Sequence, residues 1–215
     1  MNWKRARTEE KKDERKEAIY EAAYALFKKN GYDKVSFNGI ALEAGFTKSN
    51  MYRYFSSKEE IFLKVFARLF VKWFEDYSKR LQKLDISEPI ESFSKNWVES
   101  FMAHPQLLDL TPILFISLEK NSSYEQLLEF KTLSKSLLYR ISLEIGRIYP
   151  DVQNEKAFKF LTLSYAATSN QWAAMSQSEA LKRIYQQEEF KELKPNFESD
   201  LTQSIEIIIQ GLKAG

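Results

Sequence analysis

Apolar residues recur at spacings of three and four along most of this chain, and almost nowhere at the spacing of two that a half-buried strand requires. Between about Asp13 and Asn30, Ile19, Ala22, Ala23, Leu26 and Phe27 form one stripe on a predicted helix. Lys28 and Lys29 fall in its last turn, where positive charge suits the dipole, and Gly31 follows as a C-cap. Ser36 can cap a second helix reaching about Ala44. Gly45 interrupts it, and Thr47 can cap a third helix ending near Phe55. Ser57 with Glu60 reads as a capping box opening a long fourth helix to about Leu84, which buries Ile61, Val65, Leu69 and Trp73.

Beyond it, breaks near Asp85–Pro89, His104–Pro105, Asn121–Ser123 and Pro150–Asn154 delimit helical segments at about 88–103, 105–119, 124–149 and 155–178. The stretch 179–190 is ambiguous, and a last helix is predicted over about 197–213. The run "LLDLTPILFISL" reads as a buried helix, since it is too short to span a membrane and carries Asp109 and Pro112. There is no internal repeat and no low-complexity tract. The expected fold is all-α: an N-terminal three-helix domain over 1–58, joined by the long fourth helix to a larger helical domain over 59–215.

Composition sharpens this only in places. Six glycines and five prolines in 215 residues leave little material for the turns of an all-β protein. The absence of cysteine removes disulfides and thiolate metal sites and fits a reducing, cytoplasmic setting. The charged start, "MNWKRARTEEKKDERKE", has no apolar core and does not read as a signal peptide. Net charge is +2, but its distribution is uneven. Through Lys58 there are 13 basic against 8 acidic residues, and after it 19 against 22. The excess lies in the N-terminal part and is compatible with a polyanionic partner.

The stretch Gly39–Glu60, "GIALEAGFTKSNMYRYFSSKEE", concentrates the chemistry. Ala41 and Gly45 suit a close crossing of two helices and a turn with positive φ. Ile40, Ala44, Met51 and Phe55 can face a core, which leaves Lys48, Ser49, Asn50, Tyr52 and Tyr54 directed outward. One apolar edge with short polar or cationic residues near the N-terminus is what a helix laid in a major groove needs. Taken singly these features could belong to any three-helix bundle. The conjunction of turn, short polar helix and capping box within 25 residues argues for recognition. Upstream, seven Lys or Arg with four acids between Lys4 and Lys16 form either a basic arm or a solvated helix extension, with Lys4, Arg5 and Arg7 the candidates for DNA contact.

From Ala22 to Phe66 the chain, "AAYALFKKNGYDKVSFNGIALEAGFTKSNMYRYFSSKEEIFLKVF", resembles the DNA-binding domain of the TetR family of bacterial transcriptional regulators. The carriers are the Phe-x-x-x-Gly-Tyr end of the first helix, "IALEAGFTKSNMYRYF", and Lys58 after a Ser-Ser pair. The resemblance implies base reading by Lys48, Ser49 and Asn50, with Asn38 as a further candidate. It implies phosphate contacts from Tyr52, Tyr54 and Lys58, and Ser36 is placed with them. Gly39, where the family has a better helix former, and Phe37, often a polar phosphate contact there, depart from the pattern.

By the same resemblance the remaining helices form a ligand-binding and dimerisation domain. A single short helix reads only a few base pairs, so two copies on a palindromic operator are expected. The stripes Phe158 and Leu161 on one helix, and Ile205, Ile208, Ile209 and Leu212 on the last, are the expected homodimer interface. Trp97, Phe101, Met102, Phe115, Tyr139, Tyr165 and Trp172 are candidate walls of a pocket for a small, apolar or amphipathic effector. His104, the only histidine, has no partners that would make a metal site. No nucleophile–base pair, H-E-x-x-H or glycine-rich phosphate loop supports an enzyme, and no cofactor is expected. A helical adaptor that binds protein would leave the exposed polar row at Lys48–Tyr54 without a purpose. The reading is a ligand-responsive DNA-binding regulator, a repressor released from its operator by effector.

Overall fold

The computed structural model describes residues 2–214, with side chains described from Lys11 onward; Lys4, Arg5 and Arg7 therefore lie outside the described side chains. Among the described residues ten α-helices follow in order: α1 Asn2–Asn30, α2 Phe37–Glu43, α3 Lys48–Met51, α4 Lys58–Leu81, α5 Ile90–Met102, α6 Pro105–Leu110, α7 Tyr124–Ile148, α8 Glu155–Ala174, α9 Glu179–Ile184 and α10 Phe197–Ala214. No strand occurs among the described residues. The ambiguous stretch resolves into α9 and a 3₁₀ turn at Glu188–Leu193. The predicted helix over 105–119 divides. α6 passes into a 3₁₀ turn at Thr111–Ile113 and a π-helical turn at Leu114–Leu118. Pro112 lacks an N–H to continue the α ladder, which accounts for the change of pitch. This segment is also not wholly buried, as Phe115 and Ile116 stand exposed.

Packing divides the chain into two units. The first comprises residues 1–68 and 113–131; the second comprises 69–112 and 132–215. The expected boundary at 58 thus differs from the packing in two ways. The start of α4 belongs with the N-terminal helices, and so does the π-turn with the first part of α7.

In the first unit Ile19, Ala23, Ile40, Ala41, Met51, Phe55, Ile61, Phe62, Val65 and Phe66 form the core. Tyr20 closes on Phe55, and Phe27 and Tyr32 meet Phe62 edge-on, at ring separations of 5.6, 6.1 and 5.3 Å. Segment 113–131 is fastened by Phe130 against Phe66, by Lys64 to Glu129, and by Ser117, whose hydroxyl donates to Tyr32 Oη at 3.0 Å. Tyr32 in turn donates to Glu59 at 3.3 Å, and burial pushes its phenol up to about 12.

α4 begins with a displaced capping box. Ser57 Oγ accepts from the Glu60 amide at 3.1 Å, while the Glu60 carboxylate takes the amide and hydroxyl of Ser56 rather than the Ser57 amide. Beside it the Lys58 ammonium is turned inward. It donates to Val35 O at 2.9 Å and Tyr32 O at 3.3 Å, and sits 4.4 Å from the Tyr32 ring centre. It thus gives Tyr32 O a second donor beside the Val35 amide and bonds Val35 O, the C-cap of the 3₁₀ turn Tyr32–Lys34.

The second unit is built on an aromatic cluster. Trp73 stacks on Tyr77 and meets Trp97 and Phe101; Trp97 also meets Phe160, and Phe93 bridges Phe160 and Tyr149. The indole N–H of Trp73 donates to Ser100 Oγ and that of Trp97 to Thr168 Oγ1. α10 packs against both α5 and α8, burying Phe197, Leu201, Ile205 and Ile209.

Two outcomes are expected. Trp73→Ala empties the centre of the cluster and costs about 3–5 kcal/mol in urea unfolding. Lys58→Met keeps the stem but removes the ammonium from two carbonyls. It is expected to cost about 1–3 kcal/mol in the absence of DNA, read as a lower melting temperature and faster hydrogen exchange in the first turn of α4. Unchanged melting and exchange would mean the inward contacts are not structural.

Candidate nucleic-acid interface

α2, the turn 44–47 and α3 form a helix-turn-helix. Gly45 adopts φ +73°, its amide bonds Leu42 O and the Phe46 amide bonds Ala41 O, the paired bonds of a Schellman ending. A side chain at Gly45 would be strained by that φ alone. Thr47 Oγ1 then caps α3 by accepting from the Asn50 amide. Ser36 Oγ caps α2 by accepting from the Gly39 amide at 3.0 Å. A Cβ at Gly39 would lie 3.1 Å from Ser36 Oγ, a tight contact that a small shift of the hydroxyl relieves, as in the Ser57 cap on Glu60.

Met51 and Phe55 are buried, and Lys48, Ser49, Asn50, Tyr52 and Arg53 are exposed. Tyr52 leans on Phe37 at a ring separation of 4.9 Å, with the Lys48 ammonium 6.0 Å from its ring. Phe37, a departure from the family pattern, thus supports a tyrosine from beneath. Asn38 and Ser36 are exposed at the start of α2. Tyr54 is half-buried rather than free on the surface. Its ring packs edge-on to Phe46, and its hydroxyl accepts from Arg15 Nη1 at 3.1 Å. Lys58 does not join this row, because its ammonium is held by the Tyr32 and Val35 carbonyls.

Two cations on this face are absent from the sequence-based set. Arg53 lies three residues after Asn50 and was legible from helical spacing. Arg15 comes from α1 and meets α3 only through the fold. Both line a cleft of about 400 Å³ with Gly45, Phe46, Asn50 and Tyr54.

The expected effector pocket is not assembled from the residues named for it. Trp97 and Phe101 are core, each within the aromatic cluster. Met102 is exposed at an open groove between α5 and α10, and Tyr139 is exposed at another, with Leu143 and Phe158, between α7 and α8. Phe115 belongs to the first unit. Tyr165 donates to Thr111 O at 3.1 Å, and Trp172 packs on Phe197. The expected dimer stripe needs a similar correction. Leu161, Ile205 and Ile209 are buried inside the protomer because α10 covers α8 and α5. Ile208 and Leu212 are half-buried, and Phe158 is exposed. The large apolar residues left outward on these helices are Phe158, Leu163 and Ile207.

Among the described residues no group of acids and His could hold a metal, and no single helix is long and apolar enough to cross a membrane. A bent pair, α5 with Pro105–Leu118, passes that test by length and composition only, and α5 buries Phe93, Trp97, Val98 and Phe101 in the core.

Comparison with known proteins agrees with this geometry. Residues 19–65 match the family described as bacterial regulatory proteins, tetR family, and residues 67–215 match the tetracyclin repressor-like C-terminal domain. The HTH-type transcriptional regulator YfiR of Bacillus subtilis (strain 168) is 40% identical over 58 residues, which is 27% of this chain and 28% of YfiR. The fatty acid degradation regulator FadR from Bacillus halodurans superposes with a TM-score of 0.54 at 16% identity, covering 94% of this chain and 95% of that one. A TetR/AcrR family regulator from Thermobifida fusca gives 0.50 at 16% identity, over 90% and 97%. At such identities the structural likeness speaks for the fold alone. With both family matches spanning nearly all of the sequence around a helix-turn-helix, the chain belongs to the tetR family of bacterial regulatory proteins, a family of DNA-binding transcriptional regulators.

Proposed function

We propose that this protein is a ligand-responsive repressor that binds a palindromic operator as a homodimer and is released by a small apolar or amphipathic effector. One observation carries the DNA-binding part. α3 and the turn that follows it bury Met51 and offer Lys48, Ser49, Asn50, Tyr52 and Arg53 to the outside. Lys48, Ser49 and Asn50, with Asn38 from α2, form the base-reading set. The hydroxyls of Tyr52, Tyr54 and Ser36 serve phosphates, and Lys58 is withdrawn from that role by its inward bonds.

The homodimer rests on the outer faces of α8 and α10. Small exposed residues, Ala166 and Ala173 on α8 and Gly211 on α10, flank Leu163 and Ile207 and allow two helices to approach closely. The effector reading rests on the second unit's core. There the hydroxyls of Tyr77, Ser94 and Ser164 are buried without a hydrogen-bond partner among the described residues, that of Tyr77 within the aromatic cluster. Buried orphan hydroxyls are costly and point to a ligand with a polar head and an apolar body. α4 runs through both units and is the element through which occupancy would reach α3. A regulator of this kind works in the cytoplasm, where its DNA is.

A duplex selected from a randomised pool provides the operator for testing. Lys48→Ala and Ser49→Ala are expected to narrow the preference for it over mixed-sequence DNA, whereas Tyr52→Phe weakens both duplexes alike, as read by fluorescence anisotropy. Absence of any salt-sensitive, sequence-selective binding by the wild type would overturn the function. Ile207→Glu is expected to halve the mass seen in sedimentation without changing helix content, and an unchanged mass would move the interface elsewhere.

A further inference from the structure

The cleft between α1 and the helix-turn-helix presents donors almost exclusively. Arg15 spends one of its N–H groups on Tyr54 Oη at 3.1 Å, and the others are uncommitted among the described residues. No described carboxylate pairs with Arg15 or with Arg53. Because Tyr54 Oη already accepts from Arg15, its own hydrogen is left to donate, and the edge contact with Phe46 fixes where the phenol stands. Gly45 contributes no side chain to the wall, and space opens beside it. Base edges in a groove present mixed donors and acceptors, whereas a phosphodiester presents acceptors only. A wall of two guanidinium groups and a phenol therefore suits the phosphate, whose oxygens can take every donor the wall offers.

We propose that Arg15 and Arg53 clamp a single DNA phosphate in this cleft, with the Tyr54 hydroxyl donating between them. Asn50, on the same wall, then belongs to the backbone contact and leaves base reading to Lys48, Ser49 and Asn38. This rests on the DNA-binding reading above and deepens it: α1 becomes part of the recognition surface through Arg15, which also positions Tyr54. A free inorganic anion has the same chemistry, and the test separates the two sources.

Binding of a mixed-sequence duplex is followed by anisotropy across a chloride series, for the wild type and for Arg15→Ala, Arg53→Ala and the double variant. Every phosphate that the protein no longer neutralises reduces the slope of log affinity against log salt by about one. If one phosphate is shared, the remaining arginine still neutralises it in each single variant, whose slope falls by well under one, while the slope of the double variant falls by about one. A fall of two assigns the arginines to separate phosphates and overturns the clamp, and an unchanged slope overturns the site. Inorganic phosphate at matched ionic strength is expected not to displace the duplex; displacement that Arg15→Ala abolishes would make the cleft a free-anion site. Asn50→Ala is expected to weaken the selected and mixed duplexes by the same factor, and a changed ratio would return Asn50 to base reading. Circular dichroism and melting establish that each variant is folded, and Arg15→Lys, which keeps the charge but not the fork, is expected to recover only part of the affinity. Should the wild type bind no duplex at any salt, the DNA-binding reading itself fails; binding with an unaltered slope in the double variant removes only the clamp.

Discussion

A helix of four residues does not persist in water by its own hydrogen bonds, because nucleation costs more than one turn returns. α3 is such a helix, and the presentation of its side chains depends on what holds it from outside. The Gly45 Schellman ending aims the chain, Thr47 satisfies an orphan amide, and Met51 and Phe55 anchor one edge in the core. Phe37 under Tyr52 and Arg15 on Tyr54 then fix two side chains that would otherwise sample several rotamers. Preorganisation of this kind reduces the entropy lost when a partner is bound.

Charge is put to two different uses within the same unit. The Lys58 ammonium is spent on main-chain carbonyls, whereas Arg15 and Arg53 keep guanidinium donors for an outside acceptor. The difference follows from geometry. Lys58 sits at the start of α4 beside the end of a 3₁₀ turn, where the Tyr32 and Val35 carbonyls converge and a compact ammonium fits between them. The π-turn and the start of α7 join this unit through Tyr32, Phe66 and Lys64, so part of the chain beyond α6 is committed to the DNA-binding side.

Much of the secondary structure was legible because its signals are local. The stripe of α1, the capping residues Ser36, Thr47 and Ser57, and the breaks at Pro89 and Pro105 place most helix ends within a few residues, but α1 starts at Asn2, eleven residues before the expected Asp13. The capping pair Ser57 and Glu60 was legible in kind but not in partner, since the carboxylate chose the Ser56 amide. The exposed row on α3 was legible too, because one turn of helix has few ways to hide Met51 without exposing Lys48 and Asn50.

The sequence by itself determined an all-α chain, the helix-turn-helix with its glycine turn, and the outward chemistry of α3, since each depends on residues within about ten positions of one another. Tertiary structure alone decided which neighbour covers each apolar stripe. Leu161, Ile205 and Ile209 had the spacing of an interface, yet α10 lies on α8 and α5 and closes them inside the protomer. The aromatic residues named as pocket walls were scattered between core and surface for the same reason. Arg15 meets Tyr54 from 39 positions away, and Lys58 reaches carbonyls 23 and 26 positions back. Periodicity reports that a face is apolar or a side chain cationic; only the packing of distant segments says what that face or charge meets.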